Sequence, residues 1–427
     1  MSDSLEIQPT GPIHATIRPP GSKSITNRAL ICAALADGSS TLHGALDSED
    51  TRVMVEALGK LGVAVDADFP AARIRVSGCG GMLPVQQADL QMGNSGTSIR
   101  FLTAALAACS GTFRLDGVSR MRQRPIADLL AALKALGADA RSELGNGCPP
   151  VIVSGTGLDG GSVQIRGNIS SQFLSGLLQA TPYARRDVEI RVAGSLVSKP
   201  YVHMTLGVMR QFGIEIAAGD LTRFHVPAPS RYRGCDYAIE PDASAASYFW
   251  AAAAITGGRV TVEGLDRQSL QGDVAFCECL RRMGCEVTYE TGSTTVRGLT
   301  LRGIDVDMNA ISDTVQTLAA VALFAEGPTT IRGVGHIRHK ETDRIGDLAR
   351  ELSKLGAAVE QRDDGLHIVP GSLQAAEIDT YQDHRMAMSL ALVGLRQPGV
   401  VIRDPGCTAK TYPRFFQDLK ALAWQNP

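Results

Sequence analysis

The stretch GSKSITNRALICAALADGSSTLHG, residues 21–44, opens with a polar cluster, continues as a helix of small apolar residues and closes with a strand that ends in glycine. Five later stretches repeat this order. They are GNSGTSIRFLTAALAACSGTFRLDG (93–117), ISSQFLSGLLQATPYARRDVEIRVAG (169–194), PDASAASYFWAAAAITGGRVTVEG (241–264), NAISDTVQTLAAVALFAEGPTTIRG (309–333) and YQDHRMAMSLALVGLRQPGVVIRD (381–404). Their ends lie about 70 residues apart, so the chain consists of six copies of one repeat.

A second pattern, in which two apolar residues precede a glycine and a strand-like run, recurs in phase with the first. Its copies end at Gly62, Gly137, Gly213, Gly284 and Gly356, and the last copy carries Ala423 at this place. Each repeat is therefore predicted to be a βαβαββ unit. The first helix is apolar on most faces, which predicts burial, and the second is amphipathic. The glycine fits a left-handed C-cap of the second helix.

The two ends of the chain complement each other. The sixth repeat stops without its closing strands, whereas SLEIQPTGPIHATIRPP, residues 4–20, precedes the first repeat and has strand character. We expect two lobes of three repeats each, with the chain starting in one lobe, passing to the second and returning. The first lobe would hold residues 1–20 and 240–427, the second residues 21–239, with crossings near residue 20 and at 234–239.

Composition excludes several classes of protein. Of 427 residues, 44% are hydrophobic and 20% charged, which is typical of a globular chain. A net charge of −2 and 5% aromatic residues argue against a nucleic-acid partner. The longest apolar runs fall well short of the ~20 residues of a membrane span, and no secretory signal is visible. Nine cysteines without a C-x-x-C pair indicate reduced thiols, no metal and a cytoplasmic protein.

Candidate chemistry lies at the starts of the apolar helices, where free backbone N–H groups attract anions. Ordinary N-capping explains Asp242 and Ser244 at the fourth start. It does not explain the cations at other starts, because the helix dipole disfavours positive charge there. These cations are Lys23, Arg28, Arg100 and Arg385. Two further clusters, residues 119–125 and 338–344, follow strands at the same end of their repeats. A cleft between the lobes that binds anions is the expectation.

These residues belong to motifs that strongly resemble the 5-enolpyruvylshikimate-3-phosphate (EPSP) synthase family. The motifs are GSKSITNRA, GNSGTSIR, RMRQRPI, SSQFLSGLL, SKPYV, DASAASYF, ISDTVQTLA, HKETDRI, DHRMAMSLA and PGCTAKTYPRF, which follow the family order over nearly the whole chain. The resemblance implies a two-lobed inside-out α/β barrel, the enolpyruvyl transferase fold. It also implies a cytoplasmic, monomeric transferase of aromatic amino acid biosynthesis that needs no cofactor. Its small-molecule substrates would be shikimate 3-phosphate and phosphoenolpyruvate.

The resemblance also assigns residues to each substrate. Shikimate 3-phosphate would be bound by Lys23, Ser24, Arg28, Ser170, Ser171, Gln172, Ser198, Tyr201, Asp313 and Lys340. Phosphoenolpyruvate would be bound by Lys23, Asn94, Gly96, Arg124, Gln172, Arg344, Arg385 and Lys410. Asp313 would take the proton of the 5-hydroxyl, and Glu341 would protonate the vinyl carbon. A glutamate among cations favours the ionised form, so Lys23 remains an alternative proton donor.

Two positions depart from the commonest pattern of the family. Phe101 stands where many relatives have proline, which leaves susceptibility to inhibitors that mimic phosphoenolpyruvate open. His336 stands where many have asparagine, which puts one contact to shikimate 3-phosphate in doubt. The alternative functions are a UDP-N-acetylglucosamine enolpyruvyl transferase and a repeat scaffold without catalysis. The former typically has a reactive cysteine in the loop that corresponds to residues 119–124, and none occurs there.

Overall fold

The computed structural model describes residues 3–217 and 219–424, and the chain divides into two compact units. The terminal unit comprises Met1–Pro20 and Glu240–Pro427, and the central unit comprises Gly21–Ile239. Within the described residues, no helix is both long enough and apolar enough to cross a membrane.

The elements of the central unit follow the repeat order. Its helices are α1 (Lys23–Leu35), α2 (Glu49–Lys60), α3 (Gly96–Ala107), α4 (Ala127–Ala135), α5 (Ser171–Ala180) and α6 (Lys199–Gln211). Its strands are β3 (Ser39–His43), β4 (Ala64–Asp68), β5 (Arg73–Ser77), β6 (Gln87–Gln91), β7 (Ser110–Asp116), β8 (Asp139–Ser142), β9 (Val151–Thr156), β10 (Gly161–Arg166), β11 (Val188–Ala193), β12 (Arg223–Val226) and β13 (Asp236–Ala238).

The terminal unit repeats this order. Its helices are α7 (Ala243–Thr256), α8 (Phe276–Arg282), α9 (Val315–Ala322), α10 (Gly346–Lys354), α11 (His384–Gly394) and α12 (Phe415–Trp424). Its strands are β1 (Ser4–Ile7), β2 (His14–Ile17), β14 (Arg259–Glu263), β15 (Glu286–Glu290), β16 (Ser293–Arg297), β17 (Asp305–Asp307), β18 (Thr329–Arg332), β19 (Ala358–Arg362), β20 (Gly365–Val369), β21 (Ala376–Ile378) and β22 (Val400–Arg403).

One repeat shows how the sheets are built. In the second repeat β6 pairs in parallel with β7, β7 pairs antiparallel with β9, and β9 pairs antiparallel with β8. The parallel pair is connected through α3, as parallel strands require a crossover. The same order, β17-β18-β20-β19, forms the fifth repeat.

Three strands pair with partners from a distant part of the chain. Strand β2 precedes α1 in sequence but pairs in parallel with β14 of the fourth repeat. Strand β13 precedes α7 but pairs in parallel with β3 of the first repeat. The open edge of the sixth repeat is covered by β1, which pairs antiparallel with β22. Each unit thus completes its sheets with a segment from a distant part of the sequence.

The first helix of each repeat lies in the core. Every residue of α3, α7, α9 and α11 is buried, and in α1 only Ser24 is not. In the terminal unit, α7, α9 and α11 pack against one another. A chain of buried hydroxyls joins them, in which Ser247 Oγ lies 3.1 Å from Thr317 Oγ1 and Thr317 Oγ1 lies 3.3 Å from Ser389 Oγ. The three helices are thereby fixed side by side with their starts at one end.

In the first five repeats a glycine follows the second helix as the sequence predicts, whereas Ala423 of the sixth repeat lies inside α12. The glycines after these helices have positive φ, for example 82° at Gly62 and 101° at Gly356. After Gly213 we expected a strand, but residues 214–217 form none. Ile214 and Ile216 are buried and Glu215 is exposed, so the segment packs as a strand would without joining the ladder of β12.

Candidate active site

The predicted site residues fall into two groups, one in each unit. In the central unit, Ser22, Ser95 and Ser170 cap α1, α3 and α5 by accepting backbone N–H groups at 3.3–3.4 Å. In the terminal unit, Asp242 and Asp383 cap α7 and α11 in the same way at 2.9 Å. The capping interpretation of Asp242 is therefore correct. The side chain of Ser244 instead donates to Asp273.

Lys23 is the first residue of α1 and is almost fully buried. Its Nζ lies 3.6 Å from Oδ2 of Asp50, which is near the start of α2. The backbone oxygen of Asp50 accepts from Ser98 Oγ at 3.5 Å, so these contacts link the starts of α1, α2 and α3. Asp50 therefore helps to hold Lys23 at the helix end.

Arg28 is buried and donates to neutral acceptors. Its Nε donates to Thr205 Oγ1 at 2.7 Å and its Nη1 to the carbonyl of Ser24 at 2.9 Å. Its Nη2 donates to the carbonyl of Tyr201 at 3.2 Å and to Ser175 Oγ at 3.4 Å. Burial lowers the pKa of Arg28 to about 10. The guanidinium thus connects α1 to α5 and α6 and carries a positive charge that an anion would stabilise.

Arg124 lies beside the start of α3. Its Nη1 donates to the carbonyl of Asn94 at 2.9 Å and to Asn94 Oδ1 at 3.2 Å. Gly96 permits this approach, because a Cβ there would lie 2.4 Å from Arg124 Nη2. The predicted residues Asn94, Gly96 and Arg124 are therefore in direct proximity.

A second arginine of the same loop has a different environment. Arg122 donates to both carboxylate oxygens of the buried Asp116, at 2.9 and 2.7 Å. These hydrogen bonds lower the pKa of Asp116. Because Asp116 ends β7, Arg122 ties the loop to the sheet, and Arg124 is held two residues further along.

Gln172 connects two helix starts of the central unit. Its Oε1 accepts from Arg100 Nη1 at 2.5 Å, and its Nε2 donates to Thr97 Oγ1 at 3.1 Å. Ser171, the first residue of α5, is buried beside it. Ser198 has a φ of 53°, and its carbonyl accepts from the backbone N–H of Tyr201 at 3.1 Å.

Asp313 is the centre of the group in the terminal unit. One carboxylate oxygen lies 2.6 Å from Lys340 Nζ and 3.4 Å from Arg344 Nη1. The other oxygen lies 2.8 Å from Arg385 Nη2. Burial lowers the pKa of Lys340 although Asp313 favours its charge. One carboxylate thus contacts three of the predicted cations.

Glu341 lies next to this centre. Its Oε2 is 2.9 Å from Arg344 Nη2, and its Oε1 is 3.8 Å from Lys410 Nζ. Arg344 also donates its Nε to Asp383 Oδ2 at 2.7 Å and its Nη2 to Asp383 Oδ1 at 3.1 Å. Burial opposes the charge of Arg344, but the carboxylates of Asp383 and Glu341 raise its pKa above the ordinary value.

Asp50, Asp383 and Tyr248 contact predicted cations but were not among the predicted site residues. Asp50 could not be recognised as a site residue from the sequence, because an acidic residue in the first turn of a helix is common. Asp383 follows the capping pattern, so its second role with Arg344 was not visible. Tyr248 accepts from Arg385 Nη1 at 3.4 Å but lies in a helix whose sequence is apolar. In each case the partner is distant in sequence, so no local pattern marks the residue.

His336 lies in a 3₁₀ turn, residues 335–339, directly before Lys340. Its ring is buried, and burial together with the charge of Lys340 lowers its pKa to about 3, although Asp313 acts in the opposite direction. The ring is therefore neutral at physiological pH. Among the described residues, no group of three His, Cys, Asp or Glu side chains is placed to hold a metal ion.

The chain has the fold of the enolpyruvyl transferases. The enolpyruvyl transferase NikO from Streptomyces tendae shares the fold with a TM-score of 0.80 at 20% identity, covering 98% of this chain and 97% of that one. EPSP synthase from Acinetobacter baumannii gives a TM-score of 0.82 at 26% identity and covers 98% of both chains. The predicted fold class is confirmed.

The particular family follows from the sequence. The family model described as EPSP synthase (3-phosphoshikimate 1-carboxyvinyltransferase) matches residues 7–419. The 3-phosphoshikimate 1-carboxyvinyltransferase of Nostoc punctiforme is 49% identical over 424 residues, which are 98% of this chain and 100% of the relative. The chain belongs to the EPSP synthase family, and the prediction of a transferase of this kind is confirmed.

We expect His336 to make the stability of the protein depend on pH. Its folded-state pKa lies below the unfolded value, so the unfolded chain binds the extra proton as pH falls through about 6.5. Between pH 7 and pH 5, the wild type should lose about 2 kcal/mol more of its free energy of unfolding than His336→Asn. Urea titrations at both pH values measure the difference.

The matched control for this experiment is His339→Asn, because the ring of His339 is exposed three residues away. The control should follow the wild type at both pH values. An equal loss of stability in His336→Asn and the wild type would contradict the neutral state of His336.

Proposed function

We propose that the chain uses these two groups to transfer the enolpyruvyl group of phosphoenolpyruvate to the 5-hydroxyl of shikimate 3-phosphate, with release of phosphate. This is the reaction of the family to which the chain belongs, and it serves aromatic amino acid biosynthesis. The contact of Asp313 with Lys340, Arg344 and Arg385 supports the assignment of roles most directly.

The negative charges of the substrates complement the positive charges of the site residues. Each substrate carries a phosphate and a carboxylate, so several negative charges must be neutralised. The planar guanidinium fork matches both groups with two parallel hydrogen bonds, which favours arginine over lysine. We assign phosphoenolpyruvate to Lys23, Asn94, Gly96, Arg124, Gln172, Arg344, Arg385 and Lys410. We assign shikimate 3-phosphate to Lys23, Ser24, Arg28, Ser170, Ser171, Gln172, Ser198, Tyr201, Asp313 and Lys340.

Asp313 takes the proton of the 5-hydroxyl in this proposal. The hydroxyl oxygen then attacks C2 of phosphoenolpyruvate while C3 gains a proton, which gives a tetrahedral adduct. Loss of a C3 proton and of phosphate from this adduct forms the enol ether. An acid and a base are therefore needed in both halves of the reaction. Asp313 and Glu341 are suited to these roles because Arg344 contacts both carboxylates.

The cations that bind phosphoenolpyruvate also control the two carboxylates. Arg344 and Lys410 contact Glu341, and Arg344 and Arg385 contact Asp313. When the substrate anion accepts hydrogen bonds from these cations, both carboxylates lose stabilising positive charge. Their affinity for protons rises, which makes Asp313 a stronger base and keeps Glu341 in the protonated form that can donate to C3. We assign Lys23 to binding, since its Nζ is held 3.6 Å from the Asp50 carboxylate at the start of α1.

We further propose that the chain acts as a monomer in the cytoplasm. The residues assigned to both substrates all belong to one chain. The nine cysteines, each within the described part of the chain, are free thiols, as a reducing compartment requires.

Asp313→Asn tests the base. We expect kcat to fall about 10²–10⁴-fold, because the amide cannot take the hydroxyl proton but keeps the shape of the side chain. The dissociation constant of shikimate 3-phosphate, measured by calorimetry, should change far less. Phosphate release gives kcat.

The control is Asp305→Asn, which removes an exposed carboxylate paired with Arg332 in the same unit. It should keep the wild-type kcat. Undiminished turnover in Asp313→Asn would exclude Asp313 as the base.

Gly96→Ala tests the position of Arg124. The added methyl group would lie 2.4 Å from Arg124 Nη2, so the guanidinium must move away from Asn94. We expect the KM for phosphoenolpyruvate to rise about tenfold or more, since one charged hydrogen bond is lost. The KM for shikimate 3-phosphate should change little.

Gly59→Ala is the matched control, because Gly59 lies in helix α2 and an added Cβ there would have no neighbour within 4 Å. Both KM values should stay at the wild-type level in this variant. A proportional rise of both KM values in Gly96→Ala would contradict the assignment of Arg124 to phosphoenolpyruvate.

A further inference from the structure

A tight turn precedes helix α11 and delivers Asp383 and Arg385 to the site. The turn is closed by a hydrogen bond from the backbone N–H of Asp383 to the carbonyl of Thr380 at 2.8 Å. Its central residues are Tyr381 and Gln382, with φ values of 55° and 57°. Positive φ at both central positions is the geometry of a type I′ turn, in which asparagine and glycine are preferred.

The turn is strained because neither central residue is glycine. A side chain in the left-handed region costs roughly 1–2 kcal/mol for each residue. Such a conformation persists only where surrounding contacts hold it. The exposed Gln382 provides no anchor in the core, so the contacts of Tyr381 decide whether the turn keeps its shape.

Tyr381 is fastened to helix α10. Its hydroxyl donates to Glu351 Oε1 at 2.6 Å and accepts from Arg350 Nη1 at 3.0 Å. Glu351 is fully buried and also accepts the backbone N–H of Asp379 at 3.0 Å through Oε2. Lys354 Nζ lies 2.8 Å from the same oxygen. Helix α10 thus holds the segment that leads into the turn by its backbone and by the tyrosine hydroxyl.

The other end of the same helix reaches the site. Arg344 precedes α10 and binds Asp383, the residue that follows the turn. Helix α10 and the turn are therefore joined twice, by Glu351 with Tyr381 and by Arg344 with Asp383. Movement of the turn would shift the Asp383 carboxylate, and with it the orientation of Arg344 and the start of the helix that carries Arg385.

We propose that Tyr381 is a positioning residue for phosphoenolpyruvate binding: its hydroxyl holds a strained turn against Glu351, and the turn fixes Asp383 so that Arg344 and Arg385 face the substrate anion. The inference rests on the proposed assignment of Arg344 and Arg385 to phosphoenolpyruvate. Tyr381 itself touches neither substrate in this role.

Tyr381→Phe tests the anchor. The side chain is only half-buried, so phenylalanine should fold normally while losing the hydroxyl contacts. At saturating shikimate 3-phosphate, we expect the KM for phosphoenolpyruvate to rise about tenfold, since the lost hydrogen bond involves a charged partner. The KM for shikimate 3-phosphate should stay within about twofold, because the turn carries no residue assigned to that substrate.

The matched control is Tyr289→Phe. In the same unit, Tyr289 donates its hydroxyl to Glu278 Oε1 at 2.8 Å, and Glu278 also lies on a helix beside an arginine. This variant removes the same kind of tyrosine–glutamate hydrogen bond from a normal strand. It should lower the melting temperature to a similar extent as Tyr381→Phe and leave both KM values unchanged.

A glycine at position 382 distinguishes a positioning role of the Tyr381 hydroxyl from a contribution to overall stability. In Tyr381→Phe/Gln382→Gly the left-handed conformation is free of strain at residue 382, so the turn keeps its shape without the full anchor. We expect the KM for phosphoenolpyruvate to return to within about threefold of the wild type. A purely structural role of the hydroxyl would not give this recovery.

Arg344→Lys separates the positioning role of Tyr381 from the assignment of Arg344 to phosphoenolpyruvate. A raised KM for phosphoenolpyruvate in Arg344→Lys with an unchanged value in Tyr381→Phe overturns the role of Tyr381 alone. Unchanged values in both variants overturn the assignment of Arg344 as well. Equal rises of both KM values in Tyr381→Phe, or no recovery in the double variant, also overturn the positioning role.

Discussion

Burial of positive charge determines which residues surround the two most deeply buried arginines, Arg28 and Arg344. A cation removed from water is costly unless a carboxylate or several hydrogen-bond acceptors surround it. In the terminal unit, Asp313, Glu341 and Asp383 hold Arg344 in the interior, where only about 1% of its side chain is exposed. In the central unit, Arg28 is held by neutral acceptors, and its lowered pKa of about 10 records the cost of burial. Both solutions leave the cations in place for an anionic ligand.

The repeated architecture provides fixed helix starts, and these charged side chains lie at or near them. Because the first helix of each repeat is buried, its start is fixed by packing rather than by solvent-exposed contacts. Hydroxyls joining α7, α9 and α11 set the three helix starts of the terminal unit side by side. The backbone is strained at one such start, because Tyr381 and Gln382 before α11 have positive φ. The hydrogen bond of Tyr381 to the buried Glu351 stabilises this conformation. The positions of Asp383 and Arg385 therefore depend on residues outside the site.

Much of the fold could be predicted from the sequence because two patterns recur with one period. The apolar helices and the glycines that follow the second helices depend on local spacing, which the sequence displays directly. The partner strands of β2 and β13 could not be predicted, since both strands pair with residues more than 190 positions away. The predicted cations were recognisable at helix starts, whereas their partners Asp50 and Asp383 resemble ordinary helix-start acids. The absence of the predicted strand at residues 214–217 has the same origin: the segment alternates in burial as a strand does, but ladder hydrogen bonds depend on a neighbouring strand.

In the proposed mechanism the substrate anion replaces Asp313 and Glu341 as the partner of the cations and thereby raises the affinity of both carboxylates for protons. The most direct test of this mechanism is the number of protons taken up when 2-phospholactate, which has no vinyl carbon to protonate, binds at saturating shikimate 3-phosphate. Calorimetry at pH 8 in buffers of different ionisation enthalpy measures this number, and the phosphate of the ligand is already a dianion there because its second pKa is about 6. Net uptake approaching about one proton per chain, reduced in Glu341→Gln, is the expected result. No uptake, or a release of protons, would contradict the account.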